Sequence, residues 1–462
     1  MTLVRSAATR VWKTLLWSLR LPTKEHALGW WLATRCMVLL AWVVVGFSTH
    51  GDVLYYHWHI DQLFHGTPAQ DILKEYPTPL VWILSIPYIL GFGTPSGYLF
   101  IFLALFLLGD GLMGYTLWRS ARWCGTNPRP AVIFWIWFVV ALGPIIYTRL
   151  DFLTTAVATM GLIALVRSRP ATSGAIMALG TSLKLWPALL WPATAINRRA
   201  VSRTVLGFCT VGLGLVILSV VFAGWERLIS PLTWQSERGL HMESVFATPG
   251  MLARLFDTGP GEQWSVYLST FNAWEITGPG SAILTTCSSA AFITGTLLIV
   301  TLYAGWLTHR SRTTMEAVIL VIVAIAIIIV TNKTFSPQYI IWISGPIAMA
   351  LLIAHQPSKE TCTASRLPSP DQILHSRQHI HGRESSHLTQ QLARGTIIMA
   401  VLTQLIYPVL YRHYIISSAM TPVAIGILTI RNLSITVGTI ALAIYCWRNI
   451  SFQSKSAGSM HS

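Results

Sequence analysis

From residue 28 to residue 447 the chain is a succession of apolar runs, many close to the ~17–23 residues that cross about 30 Å of hydrocarbon, separated by short polar segments. That repetition narrows the fold sharply. Inside a bilayer every backbone N–H and C=O must be satisfied within the spanning structure, which leaves helices or a closed barrel, and continuous apolar runs of this length are helical. The charge supply agrees. Only 11% of residues are charged, where a soluble domain carries about 25%. Many of the 20 tryptophans stand at the ends of runs, the headgroup level an amphipathic ring favours. The expected fold class is an all-α polytopic membrane protein with about twelve spans and both termini cytoplasmic.

A net charge of +15 does not indicate nucleic acid, because of where the charge sits. Arginines gather in short loops: Arg119, Arg122 and Arg129; Arg167 and Arg169; Arg198, Arg199 and Arg203; Arg310 and Arg312. This is positive-inside topology. Most acidic residues fall in the alternate loops, Asp52 to Glu75 and Glu226 to Glu275. Six cysteines without a CxxC give no disulfide framework or zinc site, and no metal or other cofactor is expected.

The organisation expected is a cytoplasmic interfacial segment over 1–27, a transmembrane module over 28–354, a flexible polar linker over 355–394, a transmembrane pair over 395–447 and a tail over 448–462. Parity places outer loops at 48–76 and 224–281. It also makes the proline-rich stretch 77–94 re-entrant or juxtamembrane, because two crossings between residues 76 and 118 would put Arg119 and Arg122 outside. The run 171–183 rises to Lys184, and the short run 188–197 descends to Arg198.

In this threading one face collects polar groups that are costly near lipid and therefore mark a site or a structural lock. They are Asp52, Tyr76, Arg149, Asp151, Lys184, Arg238, His241, Glu243, Lys333, Ser336, Gln338 and Tyr339. A carboxylate can take the proton from an attacking hydroxyl, and Lys or Arg can hold a phosphate as leaving group. Together these describe sugar transfer from a lipid phosphate, a donor that requires neither GxGxxG nor DxD. Blander readings stand beside this one. Asp52 could cap a helix, Arg149 and Asp151 could form an ion pair fixing two helices, Lys184 could snorkel, and Arg238 with Glu243 could pin a loop. Asp110 and Arg431, deep in spans, read as hydrogen-bonding groups between helices.

The ordered motifs Asp52…Tyr55…Gly66-Thr67-Pro68…Glu75-Tyr76-Pro77, Arg149-Leu150-Asp151, Lys184-Leu185-Trp186-Pro187, Arg238-Gly239-Leu240…Glu243-Ser244, Ser336-Pro337-Gln338-Tyr339, Thr403-Gln404-Leu405-Ile406-Tyr407-Pro408 and Ile430-Arg431-Asn432 resemble glycosyltransferase family 87. That family comprises actinobacterial GT-C enzymes, among them polyprenyl-phosphomannose-dependent α-mannosyltransferases of phosphatidylinositol mannoside and lipomannan assembly. Two departures stand out: Thr78 replaces a usual second proline, and His241 a usual glutamine.

The resemblance implies a GT-C fold, Asp52 as catalytic base, and a polyprenyl-phosphate-sugar donor with its phosphate on Lys184, Lys333 and Arg149. It further implies a lipid-linked glycan acceptor, substrate contacts from the other residues of the polar face, and an extracytoplasmic site in the plasma membrane. Arabinose or glucose donors fit the same pattern. A lipid-linked sugar transporter is the alternative of another class, disfavoured because no internal repeat is visible.

Overall fold

The structure is a computed structural model and describes residues 24–45, 47–194, 198–257, 263–308, 312–354 and 370–458. Apart from one small hairpin it is helical. The helices are α1 (Lys24–Val45), α2 (Gly51–Phe64), α3 (Thr78–Leu90), α4 (Pro95–Cys124), α5 (Arg129–Leu142), α6 (Asp151–Val166), α7 (Pro170–Leu183), α8 (Arg198–Glu237), α9 (Thr248–Ala253), α10 (Ser281–Thr308), α11 (Thr314–Thr331), α12 (Ile340–Ala354), α13 (Pro370–Gln404) and α14 (Thr421–Gly458). Strands β1 (Ser265–Leu268) and β2 (Trp274–Thr277) pair antiparallel between α9 and α10. Eight described helical segments are long and apolar enough to cross a membrane, and four shorter apolar helices accompany them.

Helix ends follow local chemistry. In α4, Pro95 follows the Thr94 N-cap, whose hydroxyl accepts from Gly97 N–H, and the helix stops at left-handed Gly125. A capping box of Thr313 and Glu316 starts α11. Helix α11 is apolar on every side, the pattern of a helix surrounded by protein. It and the span containing α12 are 78% and 89% buried along their apolar windows, whereas α8 is only 6% buried. The first two therefore form the centre of the bundle, and α8, α10 and α14 turn apolar side chains outward to lipid.

Asp110 of α4 closes the packing of α1, α4 and α5. It accepts from Arg35 through both oxygens (2.7 and 2.9 Å), from Trp31 and Trp135, and from Tyr147. This is the interhelical role expected of it. Every acceptor site of a fully buried carboxylate is thus matched, the condition under which burial is tolerated.

Helix α3 lies along α2. Tyr76, just before α3, meets Tyr56 (3.2 Å); Tyr88 donates to Asp61 (2.8 Å); and the Gly93 carbonyl, just after α3, meets His57 (2.9 Å). Both ends of α3 are tied to one 14-residue helix.

Helices α7 and α8 run parallel. Gly174 faces Thr204, Gly207 faces Ala171, and Gly212 faces Ala178, with the first two contacts so close that a Cβ would collide with backbone. The chain between them must therefore return the length of α7. It does so without an α-helix, through 3₁₀ turns Trp186–Leu189 and Trp191–Thr194. Of the stretch 188–197, read as a short run, residues 195–197 lie outside the described residues.

Two boundaries differ from expectation. Residues 370–394, read as flexible linker, are helical and continue into the following span as α13, while 355–369 lie outside the described residues. Residues 448–458 continue α14 rather than leaving it as a tail. In each case a helix already nucleated by a long apolar run extends into polar sequence at little further cost. Of the interfacial segment 1–27, residues 1–23 lie outside the described residues.

Candidate active site

The ends of the helices on one side surround a cavity of about 1400 Å³. Each contributor is placed by a break in a helix. Asp52 stands in the first turn of α2, where the helix dipole favours a negative charge. Arg149 is an extended residue between a short turn (Ile145–Thr148) and α6, and Lys184 is extended after α7. Pro187, four residues after Leu183, has no N–H to donate to the Leu183 carbonyl, so α7 cannot run on through it. Helix α8 is bent at Gly224 (φ 81°), and its outer portion carries Trp234, Gln235 and Arg238 to the wall. Lys333 follows α11, and Ser336, Gln338 and Tyr339 lead into α12.

Of the residues singled out from sequence, Asp52, Tyr76, Arg149, Lys184, Arg238, His241, Lys333, Ser336, Gln338 and Tyr339 line this one cavity. Asp151 and Glu243 do not. Asp151 lies beneath the wall and binds Lys184 (2.6 Å) and the Trp342 indole N–H (2.6 Å). Glu243 is fully buried behind the wall against Arg431 (3.4 Å), and Asn432 holds the carbonyls of Glu243 and Ser244. A lock between the outer loop and α14, rather than a substrate contact, is what this geometry gives Glu243.

The ion pairs are exchanged relative to the sequence reading. Arg149 binds Asp52 (2.9 Å) instead of Asp151, and is further fixed by the Thr49 carbonyl (3.2 Å) and the Tyr407 hydroxyl (3.1 Å). Lys184 is held by Asp151 and lies over the Tyr339 and Trp342 rings at 5.0 and 5.2 Å. Two of the three expected phosphate cations are thus already paired with carboxylates. Arg238 is different. Among the described residues no hydrogen bond or ion pair engages its guanidinium, its Nε is buried without a partner, and it lines the cavity. Lys333 donates to the Ser236 carbonyl (2.8 Å); burial lowers its pKa, opposed by Glu275 and helped by the Arg238 charge. Neither cation forms an ion pair with a carboxylate among the described residues.

Asp52 keeps 32% of its side chain open to the cavity. Burial raises its pKa, opposed by Arg149, so its carboxylate is a better base than one in water. Burial and the Arg238 and Arg431 charges push His241 down to about 3. The imidazole is neutral, accepts from the Glu243 N–H through Nδ1 (3.2 Å), and lies against the Phe335 backbone. The His241 backbone N–H donates to the Lys333 carbonyl (3.0 Å), tying this loop to the turn that carries Lys333.

The site also contains residues that chemistry-first reading passed over: Glu75, Tyr407, Tyr411, Trp186 and Trp342. Glu75, Trp186 and Tyr407 stood within quoted motifs. No spacing signal marked Tyr411 or Trp342, which are distinguished only by contact.

With this geometry in hand, comparison with known proteins becomes informative. Residues 75–276 match the family model for glycosyltransferase family 87. Over that stretch, less than half of its length, the chain resembles a family of glycosyltransferases. The matched stretch carries Arg149, Lys184, Arg238 and His241, while Asp52 and Lys333 lie outside it and join the cavity through the fold. Among solved structures, ArnT from Cupriavidus metallidurans bound to undecaprenyl phosphate is 16% identical, with 90% of this chain and 77% of that one covered, at a TM-score of 0.42. Its apo state is 13% identical over the same shares, at a TM-score of 0.34. Comparison with curated proteins gives no match.

Proposed function

We propose that the protein transfers mannose from a polyprenyl-phosphate donor to a lipid-linked acceptor of the phosphatidylinositol mannoside or lipomannan type, at the extracytoplasmic face of the plasma membrane and with inversion. The observation that carries this is the pairing, in one cavity, of an arginine-braced carboxylate with a separate two-cation site. Asp52 removes the proton from the acceptor hydroxyl as its oxygen attacks the anomeric carbon. The bond from that carbon to the phosphate oxygen breaks, and the electron pair leaves with polyprenyl phosphate. Arg238 and Lys333 take up the charge that develops on the phosphate, the role a metal plays in other transferases. Arg149 and Lys184, first expected on the phosphate, instead orient Asp52 and the floor of the site. Tyr76, Ser336, Gln338 and Tyr339 remain as wall contacts for the substrates.

The cavity shape supports a membrane-borne donor. Its lining continues onto Ser289, Phe292 and Ile293 of α10, of which Ile293 is 62% exposed, and onto Leu185 and Leu189 of the returning segment. An apolar exit on the outward side of α10 suits a polyprenyl chain that never leaves lipid. The mannose assignment rests on the family resemblance, and arabinose or glucose would meet the same residues.

The test is transfer of radiolabel from undecaprenyl-phosphate mannose to glycolipid by the purified protein. Asp52→Asn is expected to lower the rate by about 10²–10⁴-fold with an unchanged melting profile. Flux of the labelled lipid across vesicles without a new glycosidic product would instead establish transport.

A further inference from the structure

The stretch 72–76 is held by an unusual amount of structure. Leu73 has a positive φ of 49°, a conformation a branched side chain rarely adopts. Arg227, on the outer part of α8, is almost fully buried and spends its guanidinium on the carbonyls of Ile72 (3.1 Å) and Leu73 (2.8 Å), and Ser230 donates to the carbonyl of Lys74 (2.8 Å). Three consecutive carbonyls are thereby fixed, and the next residue is Glu75. Backbone strain maintained in this way commonly aims a functional side chain.

Glu75 lines the same cavity as Asp52. Among the described residues its carboxylate takes two neutral donors, the Tyr55 hydroxyl at 2.9 Å and its own backbone N–H. Tyr55 stands three residues after Asp52 and so shares its face of α2. A carboxylate has about four acceptor positions, so these two donors leave about half of them for the cavity. Arg227 is near enough to be felt electrostatically, yet its hydrogen bonds go to backbone and to Ser230. A carboxylate that served only as a structural lock would have taken that guanidinium. Its burial, which raises its pKa, costs least if several hydroxyl donors enter. A phosphate is excluded from its immediate side by like charge.

We infer that Glu75, steadied by Tyr55, binds the hydroxyl groups of the acceptor sugar and sets which acceptor hydroxyl meets Asp52. This rests on the transferase reading above and adds the residue that positions the acceptor. Glu75 forms no bond and receives no proton from the reaction. It fixes the angle of attack, as positioning groups do.

The experiment uses the full chain in nanodiscs, undecaprenyl-phosphate mannose as donor, and octyl α-mannoside with its monodeoxy analogues as acceptors. Transfer and equilibrium binding of the octyl glycosides are both measured. Glu75→Gln is expected to raise the acceptor KM by about tenfold or more, to leave the donor KM within about twofold, and to erase the native preference for the parent glycoside over one analogue. Tyr55→Phe, which keeps the carboxylate but removes its steadying donor, should weaken that preference and leave the donor KM within about twofold; this keeps the inference open to refutation if Glu75→Gln folds poorly. A change in donor KM with acceptor discrimination intact overturns the inference. Binding that depends on Glu75 without transfer by the native chain would sink the transferase reading and leave the sugar site standing. A native chain that neither binds nor uses any of these glycosides removes both.

Discussion

Besides Arg35 on Asp110, two buried arginines among the described residues hold carboxylates, and they do different work. Arg149 braces Asp52, which retains access to the cavity, whereas Arg431 closes on Glu243 with both side chains fully buried and its guanidinium over the Phe335 ring at 4.0 Å. Arg149→Met removes the cation that opposes the burial-driven rise of Asp52. The acid limb of the transfer rate, already above the ordinary aspartate value of ~4, is expected to move to still higher pH in this variant. A pH–rate profile of the two proteins checks it. For the phosphate, Arg238→Gln is expected to weaken inhibition by free undecaprenyl phosphate by about tenfold or more. Arg238→Lys should recover only part of that, because an ammonium lacks the planar fork. Arg431→Met should destabilise the fold by about 3–5 kcal/mol by stranding Glu243, and pairing it with Glu243→Met should restore much of the loss. Glu243, raised to about 7, binds its proton more tightly when folded. Its contribution is therefore complete below the unfolded value near 4.5 and is lost as pH rises to about 7. Melting curves of Glu243→Gln should lose that slope.

At the scale of elements, glycine placement separates packing from hinge. Gly174→Val would drive a side chain into the Thr204 backbone and part α7 from α8, while Gly214→Ala meets nothing within 4 Å. The first is expected to lower the melting temperature in detergent markedly and the second to leave it unchanged. The element scale also explains what could be read in advance. Apolar runs reveal spans because lipid requires them, and arginine-rich turns reveal which ends share a side. Asp52, Arg149, Lys184 and Lys333 could therefore be assigned to one face before any coordinates. Partner choice could not. Asp151 lies two residues from Arg149 but pairs across helices with Lys184, because α6 and α7 are antiparallel and the reach of two side chains, not sequence proximity, decides the contact. His241 and Glu243 were drawn towards the site by chemistry, whereas their neutral and locked states follow from burial, which sequence does not display. The helical extension of α13 through the polar stretch after Pro370 escaped for a related reason: composition marks what cannot form a core, not what can continue a helix.

For the whole molecule, the arrangement makes a prediction about sides. Single cysteines placed at residue 270 in the hairpin and at residue 168 between α6 and α7, in a chain lacking its native cysteines, should label oppositely with an impermeant maleimide on intact cells: the first readily, the second only after permeabilisation. Labelling of both without permeabilisation would contradict the sidedness proposed here. The return from α7 to α8 has a consequence for how the protein comes to exist. Its 3₁₀ turns leave peptide groups that oil cannot satisfy, and they are sheltered by α6, α8 and α11. Because α11 is synthesised more than a hundred residues later, a nascent chain ending after α8 would hold this segment unsheltered. Biogenesis therefore has to keep the first eight helices together until the central one arrives, and the wall bearing Lys184 cannot set before it does.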